Sequence, residues 1–136
     1  MNFKEFKIKD YKYWTLYLHH QPTTLGRVYL WCRRKDAIDF IEMKAEEKKE
    51  FFEVAAQTKK ALEKLLDPNL FNYISAGNIA QHLHVHITPR YSAPREFDGI
   101  TFKDEAWGKN IREGQATLKI PGNTLMELKE AIRKNL

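Results

Sequence analysis

A chain of 136 residues, 43% apolar and 12% aromatic, is long enough to bury one core and too short for two, so a single globular domain over residues 1–136 is expected and intrinsic disorder is excluded. The net charge of +5 comes from 23 basic residues set among 18 acidic ones, a balance that favours small phosphate-bearing ligands over long nucleic acid. A lone cysteine rules out an internal disulfide, the opening MNFKEFKIKDY lacks a signal-peptide apolar region, and no stretch approaches the roughly 20 apolar residues of a membrane span; a cytoplasmic protein without membrane attachment is expected.

Residues 13–20 (YWTLYLHH) and 27–33 (RVYLWCR) are rich in aromatic and β-branched side chains and read as two strands. The intervening QPTTLG supplies turn chemistry, which makes them a hairpin. Cys32 lies in the second apolar run, where a buried and inert thiol is expected. Residues 44–66 carry Phe51, Val54, Ala55, Thr58, Ala61, Leu62, Leu65 and Leu66 at three- and four-residue spacing. That pattern predicts one amphipathic helix, ended by Asp67-Pro68, whose Lys/Glu side is a solvated surface without chemistry. LFNYISAGN then pairs antiparallel with the segment that follows, placing Gly77 and Asn78 at the turn between them.

That following segment, residues 82–88 (HLHVHIT), concentrates three of the chain's five histidines at every second position. Side chains alternate across a strand, so His82, His84 and His86 are expected along one face, with Leu83, Val85 and Ile87 entering the core on the other. Three uses compete for such a strip. A plain strand surface is ordinarily built from Thr, Lys or Glu. A metal site is an alternative, since His-x-His can offer two imidazoles to one ion, yet no Cys, Asp or Glu lies within five residues to complete it. Covalent catalysis is preferred, with one neutral imidazole attacking an electrophile while its neighbours orient it or assist the leaving group.

Beyond Arg90, residues 91–115 mix Pro, Gly and charge without sustained periodicity and read as a long loop with at most a short strand. A short strand is expected at 116–120 (ATLKI). Thr124 and Glu127 have the spacing of a capping box for a final helix, TLMELKEAIRKNL, with Leu125, Leu128, Ile132 and Leu136 as its apolar stripe.

QHLHVHITPR, with Gly77-Asn78 before it and Pro89-Arg90 after, resembles the signature of the histidine triad (HIT) family, and the likeness extends over most of the chain. It implies an α+β fold: an antiparallel sheet of about five strands, one long helix and a C-terminal helix. It further implies a symmetric homodimer and a nucleotide substrate cleaved at its α-phosphorus. On the same resemblance His84 is the nucleophile, His86 assists departure, His82 orients the pair, and Asn78 with the Gly77 backbone holds phosphate oxygens. No metal or other cofactor enters that scheme. Two positions depart from the family's pattern. His19 stands where an Asn or Asp often holds the ribose, and Arg27 follows Gly26 where many members carry a fourth histidine. Imidazole still bonds a hydroxyl and guanidinium still meets a phosphate, so both are expected among the substrate-binding residues. A metal-dependent hydrolase and a nucleotide-binding regulator without turnover are the alternatives.

Overall fold

The computed structural model describes residues 3–112 and 115–136. Five strands, β1 (Lys7–Asp10), β2 (Trp14–Leu18), β3 (Val28–Cys32), β4 (Leu70–Ile74) and β5 (His84–Arg90), form one antiparallel sheet in the order β1-β2-β3-β5-β4. A separate hairpin, β6 (Arg95–Phe97) and β7 (Ile100–Phe102), follows the sheet, and the helices are α1 (Ala45–Leu66) and α2 (Gly122–Lys134). This is the α+β architecture expected, with the long helix where periodicity put it. Among the described residues no helix is long and apolar enough to cross a membrane.

Strand alternation separates the two faces of the sheet. Trp14, Leu16 and Leu18 of β2, Val28, Leu30 and Cys32 of β3, and Val85 and Ile87 of β5 are all buried. Helix α1 covers this face with Phe51, Val54, Thr58, Leu62 and Leu66. The Trp14 ring meets that of Phe51 at 5.2 Å, and its indole N–H donates to the Glu47 carbonyl at 2.9 Å. The hairpin turn is held against the same helix at Gly26, whose φ of +84° favours glycine and where an added Cβ would lie 2.8 Å from Leu66 Cδ1. Leu65, expected in the stripe, is only partly buried, because Leu66 takes the core position in the last turn.

Other differences from expectation have local causes. The fifth strand of the sheet is β1 and not residues 116–120. Its KIKD sequence buries a single apolar side chain, Ile8, amid charges, whereas 116–120 stays outside the sheet, tied to the hairpin turn by the Leu118 N–H donating to the Pro22 carbonyl at 2.9 Å. The supposed loop after Arg90 contains the β6–β7 hairpin. Its turn is Asp98-Gly99, with φ of 52° and 73°, the two left-handed residues of a type I′ turn. Helix α2 starts at Gly122 with Pro121 as N-cap, so Thr124 and Glu127 form no capping box; the buried Thr124 hydroxyl donates instead to Asp98 at 2.8 Å, pinning the helix to that turn. Nor is the charged side of α1 wholly solvated. Glu47 is buried, accepts from the Lys44 backbone N–H at 2.8 Å, and holds the Arg34 guanidinium at 3.0 Å. Arg34 pulls its carboxyl below the ordinary range.

Candidate active site

The uncovered face of the sheet carries the chemistry. Register places Tyr29 opposite His86 and Trp31 opposite His84, while Tyr17 sits opposite Tyr29 on the other side of β3. The Tyr17 and Tyr29 rings stack at 5.1 Å. At the hairpin end, the His19 N–H donates to the Arg27 carbonyl at 3.0 Å, which sets those two residues side by side. The face therefore gathers His19, Arg27, His84 and His86, four of the residues singled out from sequence, and lines them with aromatic rings.

His82 departs from the expected strip. β5 begins two residues later, at His84, because the backbone at Leu83 bonds elsewhere: its N–H donates to the Ala37 carbonyl at 2.9 Å and its carbonyl accepts from the Cys32 N–H at 3.1 Å. The His82 ring stacks on Trp31 at 4.3 Å and turns its Nε2 to the Cys32 carbonyl at 2.6 Å. A carbonyl only accepts, so that nitrogen carries a proton. His84 is oriented in the same way: its Nδ1 lies 2.6 Å from the His82 carbonyl and must donate, which leaves the lone pair of the neutral ring on Nε2. Trp31 also flanks this ring at 5.3 Å. Among the described residues no three His, Cys, Asp or Glu side chains are grouped to hold a metal ion.

His86 and His19 differ from these in being half-buried beside the Arg27 guanidinium. Burial above all, then the charges of Arg27, His19 and His84, pushes the His86 pKa down to about 3. Burial, Arg27 and His20 bring His19 down to about 4. Their rings are 5.7 Å apart, and His86 meets His84 edge-on at 5.2 Å. Both are neutral at pH 7, which lets the His86 ring donate from one nitrogen and accept at the other.

Two cavities meet at these histidines. One, of about 420 Å³, is lined by Phe3, Tyr17, His20, Tyr29 and Trp31 together with His19, His84 and His86. This is an aromatic slot of the kind a flat heterocycle fills. The other, of about 540 Å³, shares the same three histidines and extends past Arg27, Gly77, Asn78, Arg112 and Gln115. Gly77 has φ +69° and an exposed Asn78 follows it, so the expected turn beside the histidines is present. Trp31 and Tyr29 were not singled out as site residues, although their alternation with Arg27 along one strand carries the signal. Arg112, in a stretch without periodicity, gave none.

Some conspicuous groups serve the fold instead. Arg90 is buried, bonds Asp104 at 2.7 Å and donates to Asn72 and to the Ala106 carbonyl, fastening the segment after β7 to the sheet. Cys32 is buried as expected, its thiol aimed at Glu47 at 3.5 Å, and burial raises its pKa.

An α+β sheet with histidines set on its open face beside an aromatic slot defines the class of molecule. A model of the HIT domain matches residues 2–93, and the chain belongs to the HIT family. Solved structures with the same fold include a histidine triad protein of Bradyrhizobium japonicum, at 19% identity and TM-score 0.78, with 95% of this chain and 88% of that one covered. Another, from Marinobacter aquaeolei, is 18% identical with TM-score 0.78, over 96% and 87% of the two chains. A hypothetical histidine triad nucleotide-binding protein of Sulfolobus tokodaii is 16% identical with TM-score 0.73, over 96% and 82%. At such identities the likeness is one of fold. Comparison with curated proteins gave no match.

Proposed function

We propose that this protein is a nucleotide hydrolase, or nucleotidyl transferase, that cleaves a nucleoside phosphate derivative at the α-phosphorus through a nucleotidyl-His84 intermediate. The observation that carries this reading is the Nδ1 hydrogen bond from His84 to the His82 carbonyl, which fixes the lone pair on Nε2 without using an ionisable group. In the first step that lone pair attacks phosphorus and a P–N bond forms, while the bond from phosphorus to the leaving group breaks and its electron pair departs with that group. In the second, water attacks the same phosphorus, the P–N electrons return to Nε2, and the proton released by water goes to the imidazole or to solvent. The aromatic slot accepts the base, His19 meets the ribose, His86 donates to an oxygen of the reacting phosphate, and Asn78 with the Gly77 backbone binds the non-bridging oxygens as their charge grows. His82 positions His84 through its carbonyl.

Membership of the HIT family supports the reading, as does the nucleotide-binding description of the Sulfolobus tokodaii relative. A homodimer belongs to the proposal as well: β4 is an edge strand with Leu70, Tyr73 and Ile74 exposed, and light scattering should give twice the chain mass. A non-catalytic nucleotide binder is the second reading, favoured by the substitution of Arg27 at the fourth-histidine position. Incubation with dinucleoside polyphosphates and nucleoside phosphoramidates, with products identified by mass spectrometry, decides between them. Release of a nucleoside monophosphate supports the enzyme; tight binding of all the compounds without turnover supports the binder.

A further inference from the structure

The larger cavity holds an unusual charge arrangement. Arg27 is half-buried, and among the described residues its side chain has no ion-pair partner and makes a single long hydrogen bond, 3.4 Å to the Thr23 hydroxyl. Its Nε–H is buried with no partner among those residues. A second guanidinium, Arg112, lines the same cavity with Asn78 and Gln115, and among the described residues no carboxylate does. Burying an unpaired cation is costly, and a fold that only needed to fill this space would have used an apolar side chain. The other buried or half-buried arginines are well satisfied: Arg90 is paired with Asp104, Arg34 with Glu47, and Arg95 donates to the Leu66, Asp67 and Ala93 carbonyls.

We infer that Arg27, with Arg112 across the cavity, is a specificity determinant that selects substrates whose leaving group is itself a phosphate. Such substrates undergo P–O–P cleavage in preference to release of an uncharged amine or alcohol. This rests on the hydrolase reading above and narrows it. The aromatic slot and the cationic cavity share His19, His84 and His86 but differ in the rest of their lining, so a base in the first allows the chain beyond the α-phosphorus to enter the second. There the guanidinium of Arg27 can offer its terminal N–H groups to two phosphate oxygens at once. Leaving-group chemistry agrees. His86, with its pKa held down to about 3, is a poor proton reservoir for a basic amine or alkoxide, whereas a phosphate departs as a stable anion and needs no such proton.

The test compares kcat/KM for a dinucleoside triphosphate with that for a nucleoside phosphoramidate of an uncharged alkylamine, in the wild type, Arg27→Gln and Arg27→Lys. Their ratio should fall about 10- to 100-fold in Arg27→Gln, as for loss of one charge-assisted hydrogen bond, and recover partly in Arg27→Lys. An unchanged ratio overturns the inference, because Arg27 would then serve both substrates alike. Should the Gln variant not fold, salt on the wild type takes its place: KM for the triphosphate should rise more steeply with ionic strength than KM for the amidate, and equal slopes overturn it. Were the wild type to cleave neither compound, the hydrolase reading fails and binding still decides this point. Nucleoside diphosphate should then bind at least about tenfold tighter than monophosphate, with the preference lost in Arg27→Gln; equal affinities overturn it.

Discussion

The two faces of one sheet obey opposite rules. Under α1 the strands present Trp14, Leu16, Leu30, Val85 and Ile87, each 2% exposed or less, and the polar side chains of the helix that enter there are bonded, Glu47 to Arg34 and the Thr58 hydroxyl to the Val54 carbonyl. On the open face the same strands present imidazoles and tyrosines beside a guanidinium, and the Arg27 Nε and the His86 Nδ1 are buried with no partner among the described residues. One face is optimised for the folded chain alone. The other carries polar groups that the folded chain leaves unmatched, the pattern expected where stability is given up for a ligand.

If that division is correct, substitutions on the two faces should affect different observables. The largest effect is expected on the open face. His84→Ala should lower turnover at least about a thousandfold, since no other imidazole is placed to attack in line, while the unfolding free energy stays within about 1 kcal/mol of the parent. Parallel loss of stability and activity would erase the distinction. On the covered face, Leu62→Ala empties a fully buried site packed beneath Gly26 and should cost about 2 to 5 kcal/mol, read from the denaturant midpoint. An unmoved midpoint would show that α1 does not pack as described.

A smaller effect should come from acid. His86 and His19 have folded pKa values of about 3 and about 4, below the roughly 6.5 of an unfolded chain. Between those limits the unfolded state binds more protons, so stability falls as pH drops below about 6.5, by roughly 1 to 2 kcal/mol per histidine at pH 5. Denaturant titrations at pH 7 and pH 5 should show the loss, and His86→Asn should reduce it. A flat pH dependence would mean that the open face is better solvated than its burial indicates. Smallest of all, Asn78→Ala should weaken nucleotide binding about tenfold and leave stability within about 1 kcal/mol, because Asn78 is exposed on its turn. Equal losses would make it a brace for the turn.

What the sequence revealed follows the same division. Period-2 alternation in YWTLYLHH and HLHVHIT announced which side chains face the core, and 3.6-residue periodicity announced α1, because burial imposes those repeats. Elements held by few apolar contacts stayed hidden. β1 has Ile8 alone, and β6 and β7 have three residues each, so that Asp98-Gly99 is the one local signal of their hairpin. The triad was visible as a pattern but not as a geometry. That His82 leaves the strand to bond the Cys32 carbonyl, and that Trp31 stacks on it, depends on a loop from Ala37 meeting Leu83, a tertiary contact with no local trace. Arg27 reads from the sequence as a departure from the family; only the folded structure shows that no carboxylate pairs with it among the described residues.

The most direct test of the central claim is to trap the intermediate. Wild-type protein, quenched in acid-free denaturant during turnover and digested, should yield a nucleotidyl adduct on the peptide containing residues 82–90, localised to His84 by fragmentation. An adduct on His82 or His86, or turnover that persists in His84→Ala, would contradict the account.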